Sequence, residues 1–263
     1  MHVLAIFLSV AMSTLTLSAD SHDAAVPAAL ACLARYYAVE PRFEDGAWWA
    51  KLPGGARVPF DDRKSKSWDE RLESPDIKDM LVLPYATGPI RPILDENDDP
   101  GRIRVEAVFA ATYGGRRAAA EQRLVRFLGL PVRMHRKVVP ALERVAARIE
   151  NALATDPGLK PFLGRLSGGF AVRTIAGTTR TSPHAYGIAI DLDKSKSDYW
   201  RWEGKQTLRL LRWRNRIPQA IVDAFEAEGF IWGGRWYHYD TMHFEYRPEL
   251  ALPCLPLPSS KTN

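Results

Sequence analysis

The spacing of apolar residues predicts a long amphipathic helix in the second half of the chain. Across residues 138–154 apolar side chains recur three or four positions apart, and the turn-forming run 156–158 follows them. Residues 208–230 are also predicted to be mainly helical. Pro218 suits the first turn of a fresh helix in that region, and Gly229 suits its end.

Three short runs in the same half have the composition of β-strands. They are residues 168–175, 187–192 and 243–247, which are rich in β-branched and other apolar residues. Helices alternate with these strands, and the turns between them suit hairpins. The pattern predicts the α+β class, with a small, mostly antiparallel sheet flanked by helices.

The first half of the chain has no such regularity. Residues 20–130 are rich in Pro, Gly and Asp turn signals, but apolar residues recur among them, so the region is expected to fold. The acidic run 95–101 resembles a calcium-binding loop, but Pro100 stands where that loop requires glycine, so a turn is predicted instead. We expect an irregular N-terminal extension over residues 20–130, packed on a domain formed by residues 131–263.

The N-terminus has the composition of a secretory signal peptide. Residues 1–19 contain no Lys, Arg, Asp or Glu, and an apolar run is followed by the small residues Ser18 and Ala19. Cleavage near Ala19 is therefore predicted, with export to the periplasm or the extracellular space. A buried helix or an uncleaved anchor is the alternative for this segment. Elsewhere no run approaches the ~18 apolar residues of a membrane span, so no transmembrane segment is expected after cleavage.

Charge and cysteine content narrow the expected partners. With 36 Lys and Arg against 31 Asp and Glu, the chain has a formal net charge of +5. A basic exported protein suits an anionic polymer such as a cell wall, whereas no nucleic-acid-binding motif is present and no nucleic-acid partner is expected. Cys32 and Cys254 lack the spacing of a metal-binding pair. Export permits a disulfide between them, but sequence leaves that pairing open.

Two short segments concentrate the residues suited to metal chemistry. They supply two histidines and two aspartates: His184, Asp191, Asp240 and His243. Three protein ligands leave one coordination position of zinc open for water, and a nearby carboxylate can take the proton of that water. Strand alternation turns Asp240 away from His243, so a turn or bulge at residues 239–241 is predicted to bring both to one site.

The arrangement of these residues resembles a known family. The pattern Ser182-x-His184-x-x-Gly187-x-Ala189-x-Asp191, followed by Asp240-x-x-His243, is similar to the D-alanyl-D-alanine carboxypeptidase (VanY-like) family of zinc peptidases. The resemblance is strongest over residues 165–250, and it implies the fold that this family shares with the Hedgehog signalling domain.

The resemblance assigns roles to individual residues. It implies one Zn²⁺ ion held by His184, Asp191 and His243, with Asp240 as the general base. It also implies an arginine that steadies the substrate carbonyl. Arg173, expected in a strand, is the candidate for that role, and Arg180 remains its competitor.

The implied substrate is the stem peptide of peptidoglycan. Ser182, Trp236 and His238 are the candidates for contact with it, although aromatic residues beside strands more often lie in the core. Two reactions stay open: removal of a terminal D-alanine, or cleavage of an internal L-alanyl-D-glutamate bond. The alternative function is a non-catalytic, zinc-containing module that binds the cell wall, but such a module has no use for Asp240.

Overall fold

The computed structural model of this protein describes residues 25–204 and 211–252. The predicted signal peptide, residues 1–19, and Cys254 lie outside the described residues, so the export and disulfide predictions are not tested. Among the described residues, no helix is both long enough and apolar enough to cross a membrane.

The described residues form helices and strands of mixed order. The helices are α1 (Ala28–Tyr36), α2 (Trp68–Glu73), α3 (Ile77–Met80), α4 (Glu106–Tyr113), α5 (Val139–Thr155), α6 (Lys160–Leu163), α7 (Pro183–Tyr186), α8 (Gln219–Glu226) and α9 (Pro248–Ala251). The strands are β1 (Glu40–Glu44), β2 (Ala47–Lys51), β3 (Arg57–Pro59), β4 (Gln122–Phe127), β5 (Leu130–His135), β6 (Leu166–Gly168), β7 (Ala189–Leu192), β8 (Phe230–Trp232) and β9 (His243–Tyr246).

These strands build small antiparallel sheets. The N-terminal sheet has the order β1-β2-β3, β4 and β5 form a hairpin, and the third sheet has the order β6-β7-β9-β8. Every pairing in them is antiparallel. The predicted α+β class with small antiparallel sheets is confirmed.

One apolar core joins the two halves of the described chain. Leu30 and Phe109 from the first half lie in the same buried cluster as Val145, Phe225 and Phe244 from the second. Burial of such side chains contributes roughly 1.5–3 kcal/mol each. The predicted boundary between residues 130 and 131 falls inside β5, at the hairpin with β4. The division into an extension and a domain stays a prediction.

The helix predictions are confirmed in part. Helix α5 covers the predicted residues 138–154 almost completely. Pro218 directly precedes α8, and Gly229 adopts a φ of +88° after its end. The prediction of helix is wrong for residues 211–217. There the side chain of Asn215 bonds the backbone N–H and C=O of Ile217, which competes with helical hydrogen bonds.

The predicted strand over residues 168–175 is also wrong beyond its first residue. Strand β6 ends at Gly168, and Arg173 lies in no strand. The chain leaves the sheet because its backbone pairs elsewhere: Phe170 N–H donates to Arg133 O, and Ser182 N–H donates to Arg173 O at 3.0 Å. Arg173 therefore lies in an irregular segment that pairs with the chain entering α7.

Candidate metal centre

The short helix α7 places the first histidine of the site. Its end is fixed by Gly187, which adopts a φ of +71°. This positive φ favours glycine, and a Cβ here would also displace the end of the Gln122 side chain, whose oxygen would lie 2.0 Å away. Gly187 therefore lets the chain turn sharply from the helix that carries His184 into strand β7.

The His184 ring is oriented by a backbone carbonyl. Nδ1 of His184 lies 2.7 Å from Gly169 O, and because a carbonyl only accepts hydrogen bonds, Nδ1 carries the proton. The other nitrogen, Nε2, faces the site and is the atom that would bind a metal. This is the arrangement that metal-binding histidines ordinarily have.

Sheet register brings the other two predicted ligands together. Asp191 in β7 pairs directly with His243 in β9, so their side chains project from the same face of the sheet. Asp191 Oδ1 lies 2.9 Å from His243 Nδ1 and 3.2 Å from His184 Nε2, and the two nitrogens are 3.3 Å apart. Ligand atoms around a tetrahedral zinc ion are separated by about 3.3 Å. The three side chains therefore fit one zinc ion.

The charges within the cluster favour a cation at its centre. Burial opposes ionisation of Asp191, but the charges of His184 and His243 and their hydrogen bonds hold the pKa of its carboxyl well below the usual range. Burial likewise opposes a charged His243, yet the hydrogen bond to Asp191 and the nearby Glu245 carboxylate raise the pKa of that imidazole to about 10. Metal binding requires these groups to be deprotonated, so a divalent cation would replace the proton here.

Asp240 lies at the turn that leads into β9. Its carbonyl accepts the N–H of His243 at 3.1 Å, and its own N–H donates to Gly233 O. A turn was predicted at residues 239–241, and the structure forms one at Thr241–Met242. Burial, followed by the charge of Asp191, raises the pKa of Asp240 to about 6 against the effect of His243. Its Oδ1 is buried and accepts no hydrogen bond from the described residues, so it is available as a base.

Glu245 supports His243 from the side of its ring that faces away from the site. Glu245 was not assigned this role from the sequence. Its carboxylate lies 3.7 Å from Nε2 of His243, on the side of the ring away from Asp191. Arg247 and Arg104 lie 3.3 and 3.7 Å from the same carboxylate, which is buried. Burial opposes its ionisation, but chiefly the charge of Arg104 and the nearby His243 lower its pKa to about 2. The sequence signal that was available for this role is the position of Glu245, two residues after His243.

Substitution of Glu245 tests this supporting role. We expect Glu245→Gln to weaken zinc affinity roughly 10- to 100-fold, because partners behind a ligand histidine typically contribute that much. Competition with a chromophoric chelator measures the change. Glu249→Gln is the matched control, since Glu249 is equally buried and bonds Arg247 but not His243. Equal zinc affinities in the two variants would contradict the role of Glu245.

The structure separates the two arginine candidates by exposure. Arg173 is exposed and lines a cavity of about 550 Å³ beside α7. Arg180 is half-buried, and its Nη1 donates to Arg102 O at 3.2 Å. The guanidinium of Arg173 is therefore more exposed than that of Arg180.

The three predicted substrate contacts differ in accessibility. Ser182 and Trp236 are buried, with 1% and 3% of their surface exposed. The side chain of His238 is partly exposed, and Asp99 holds it with one carboxylate oxygen on the backbone N–H and the other on Nδ1. His238 is therefore the most accessible of the three, and a role in substrate contact stays a prediction for all of them.

A second cluster of acidic residues surrounds a lysine side chain. Asp61, Asp62 and Asp76 lie close enough to hold a metal ion. However, Nζ of Lys66 is 2.8 Å from Asp62 and 3.6 Å from Asp76, and its side chain is buried among them. These carboxylates neutralise Lys66, so the cluster stabilises the fold of the first half.

A site in which two histidines and one aspartate, carried by α7, β7 and β9, surround a common point with an unbonded carboxylate nearby is of the kind used by mononuclear metal hydrolases. Residues 176–246 match the family model described as D-alanyl-D-alanine carboxypeptidase. The resemblance deduced from the sequence is confirmed over that segment, which contains all four metal-site residues. The search of curated proteins and the search of solved structures each found no match.

Proposed function

We propose that this protein is an exported zinc metallopeptidase that hydrolyses the stem peptides of peptidoglycan. One observation carries the proposal: three ligand atoms from α7, β7 and β9 meet within 3.3 Å of one another, beside a buried and unbonded Asp240 carboxylate oxygen. The family match supports peptidase chemistry on D-alanyl-D-alanine peptides. The net charge of +5 suits an acidic substrate.

The residues around the centre divide the chemistry between them. His184, Asp191 and His243 would hold zinc, which when bound lowers the pKa of a water molecule and polarises a carbonyl oxygen. Asp240 accepts the proton of the attacking water and passes it to the departing amine. Because burial raises its pKa to about 6, Asp240 is a base at neutral pH and still a competent acid in the second step.

We assign the stabilisation of negative charge on the substrate to Arg173. Its side chain is exposed at the cavity beside α7, and its carbonyl is bonded to Ser182, two residues before His184. A cation at this point attracts the carbonyl oxygen as it gains charge. Loss of one such stabiliser typically lowers the rate about 10²- to 10³-fold.

Mass spectrometry of purified muropeptides tests the proposed function. We expect the purified protein to shorten stem peptides, a chelator to stop the reaction, and added zinc to restore it. The mass lost identifies the bond that is cut. Zinc binding without any hydrolysis would instead favour the non-catalytic wall-binding module, and hydrolysis that survives chelation would contradict the zinc mechanism.

A further inference from the structure

A loop from the first half of the chain forms one side of the metal centre. The loop, residues 98–102, is bonded to the segment just before Asp240: Tyr237 N–H donates to Asp98 O, and Trp236 Nε1–H donates to Pro100 O at 2.8 Å. On the other side, Arg247 donates to Gly101 O at 2.6 Å. These bonds fix the loop against the elements that carry the site.

The last residue of this loop, Arg102, is held over an aromatic ring. Its guanidinium carbon lies 5.0 Å from the centre of the Trp236 ring, and the Trp236 ring lies 5.7 Å from the ring of His243. The Trp236 indole therefore contacts both the Arg102 guanidinium and a candidate metal ligand. Trp236 is itself immobile, because it is buried and bonded to Pro100.

The guanidinium of Arg102 keeps its hydrogen-bonding capacity. Its nearest carboxylate oxygen, on Asp99, is 3.7 Å from Nε, which exceeds hydrogen-bond distance. Within residues 25–204 and 211–252, no hydrogen bond from this side chain is found, and 23% of it is exposed. The neighbouring Arg104 differs, since it is buried and donates to Thr181 O.

The charge of Arg102 acts on residues beside the candidate metal centre. Burial raises the pKa of Asp240 and that of Tyr199, and the charge of Arg102 opposes both rises, which places Arg102 within electrostatic reach of these two residues. Tyr199 and Asp240 pair across an isolated bridge. Arg201 stacks on Trp200. Among the described residues, the Trp200 ring contacts no candidate metal ligand. Arg102, unlike Arg201, therefore stacks on a ring that itself contacts a ligand ring.

We propose that Arg102 binds the free α-carboxylate of the substrate's last residue, which makes this protein a carboxypeptidase. The proposal rests on the proposed function and decides which bond is cut. A planar guanidinium binds a carboxylate with two parallel hydrogen bonds. The α-carboxylate of a leaving residue lies one residue beyond the scissile bond, roughly 3.5 Å, so its cation must stand one side chain away from the metal. An internal bond offers no carboxylate there.

Two substrates that differ only at the C-terminus test the proposal. One is an acetylated tripeptide that ends in D-alanyl-D-alanine with a free carboxylate, and the other is its C-terminal carboxamide. We expect the wild type to favour the acid by roughly 10- to 150-fold in kcat/KM, which is the range for a hydrogen bond to a charged group. Arg102→Met should bring this ratio close to one, mainly by raising KM for the acid.

The matched control is another arginine stacked on tryptophan. Arg57 lies 5.0 Å over Trp49 and pairs with Glu44 in the N-terminal sheet. Arg57→Met removes the same group and should leave the substrate preference unchanged. Wild-type zinc content of Arg102→Met shows that this variant retains its metal centre.

Several outcomes would overturn the proposal. These are equal turnover of both substrates by the wild type, an unchanged ratio in Arg102→Met, or equal losses on both substrates. Cleavage of internal stem-peptide bonds alone would also overturn it, while zinc-dependent hydrolysis itself would stand. Failure of the proposed function has a different signature, because then neither these substrates nor muropeptides are hydrolysed in a zinc-dependent manner.

Discussion

Asp240→Asn is expected to bind zinc as the wild type does and to lose about 10²- to 10⁴-fold in kcat, the range for removal of a general base. The amide has the shape of the carboxylate but cannot accept the proton of water. Zinc content by mass spectrometry and turnover of muropeptides measure the two properties on one sample.

The structure indicates that this substitution preserves the fold. The two hydrogen bonds that fix the turn use the backbone of Asp240, and its Oδ1 bonds no described residue. Asp193→Asn is the control, because Asp193 is a partly exposed acid just after β7, and an amide oxygen can take over its role of accepting the Ser195 N–H. Full turnover by Asp240→Asn would rule out Asp240 as the general base.

Asp191→Asn is expected to lose both zinc and turnover. The same change of acid to amide here removes the only anionic ligand among the three, so zinc affinity should fall by more than the roughly 10- to 100-fold typical of supporting residues. Thermal unfolding gives a second readout. Zinc at 1,000 times its dissociation constant stabilises a folded protein by about 4 kcal/mol, and this gain should largely disappear in the variant.

The two aspartate variants together separate a ligand from a base. Wild-type zinc content and a wild-type thermal shift in Asp191→Asn would contradict its assignment as a ligand. Loss of zinc from Asp240→Asn would instead place Asp240 on the metal. Only the combination of zinc lost in one variant and retained in the other supports the division of roles.

Much of this site is readable from local sequence. The two histidines and two aspartates occur in two short segments with characteristic spacing, and Gly187 marks the turn between His184 and β7. The helix at residues 138–154 and the α+β class follow equally from local patterns, because apolar periodicity reports which face of an element is buried. The error at residues 168–175 arises where a distant partner, Arg133, takes up a backbone hydrogen bond, and the error at residues 211–217 arises where the side chain of Asn215 bonds the backbone of Ile217.

Sequence by itself determined the kinds of ligand and the order in which the chain supplies them. Tertiary structure alone decided that Asp191 stands opposite His243, that Glu245 supports the His243 ring, and that the loop carrying Arg102 lies beside Trp236. The reason is physical. Register and loop docking depend on contacts between residues far apart in the chain, and no local pattern of apolar and polar positions encodes which distant groups will meet.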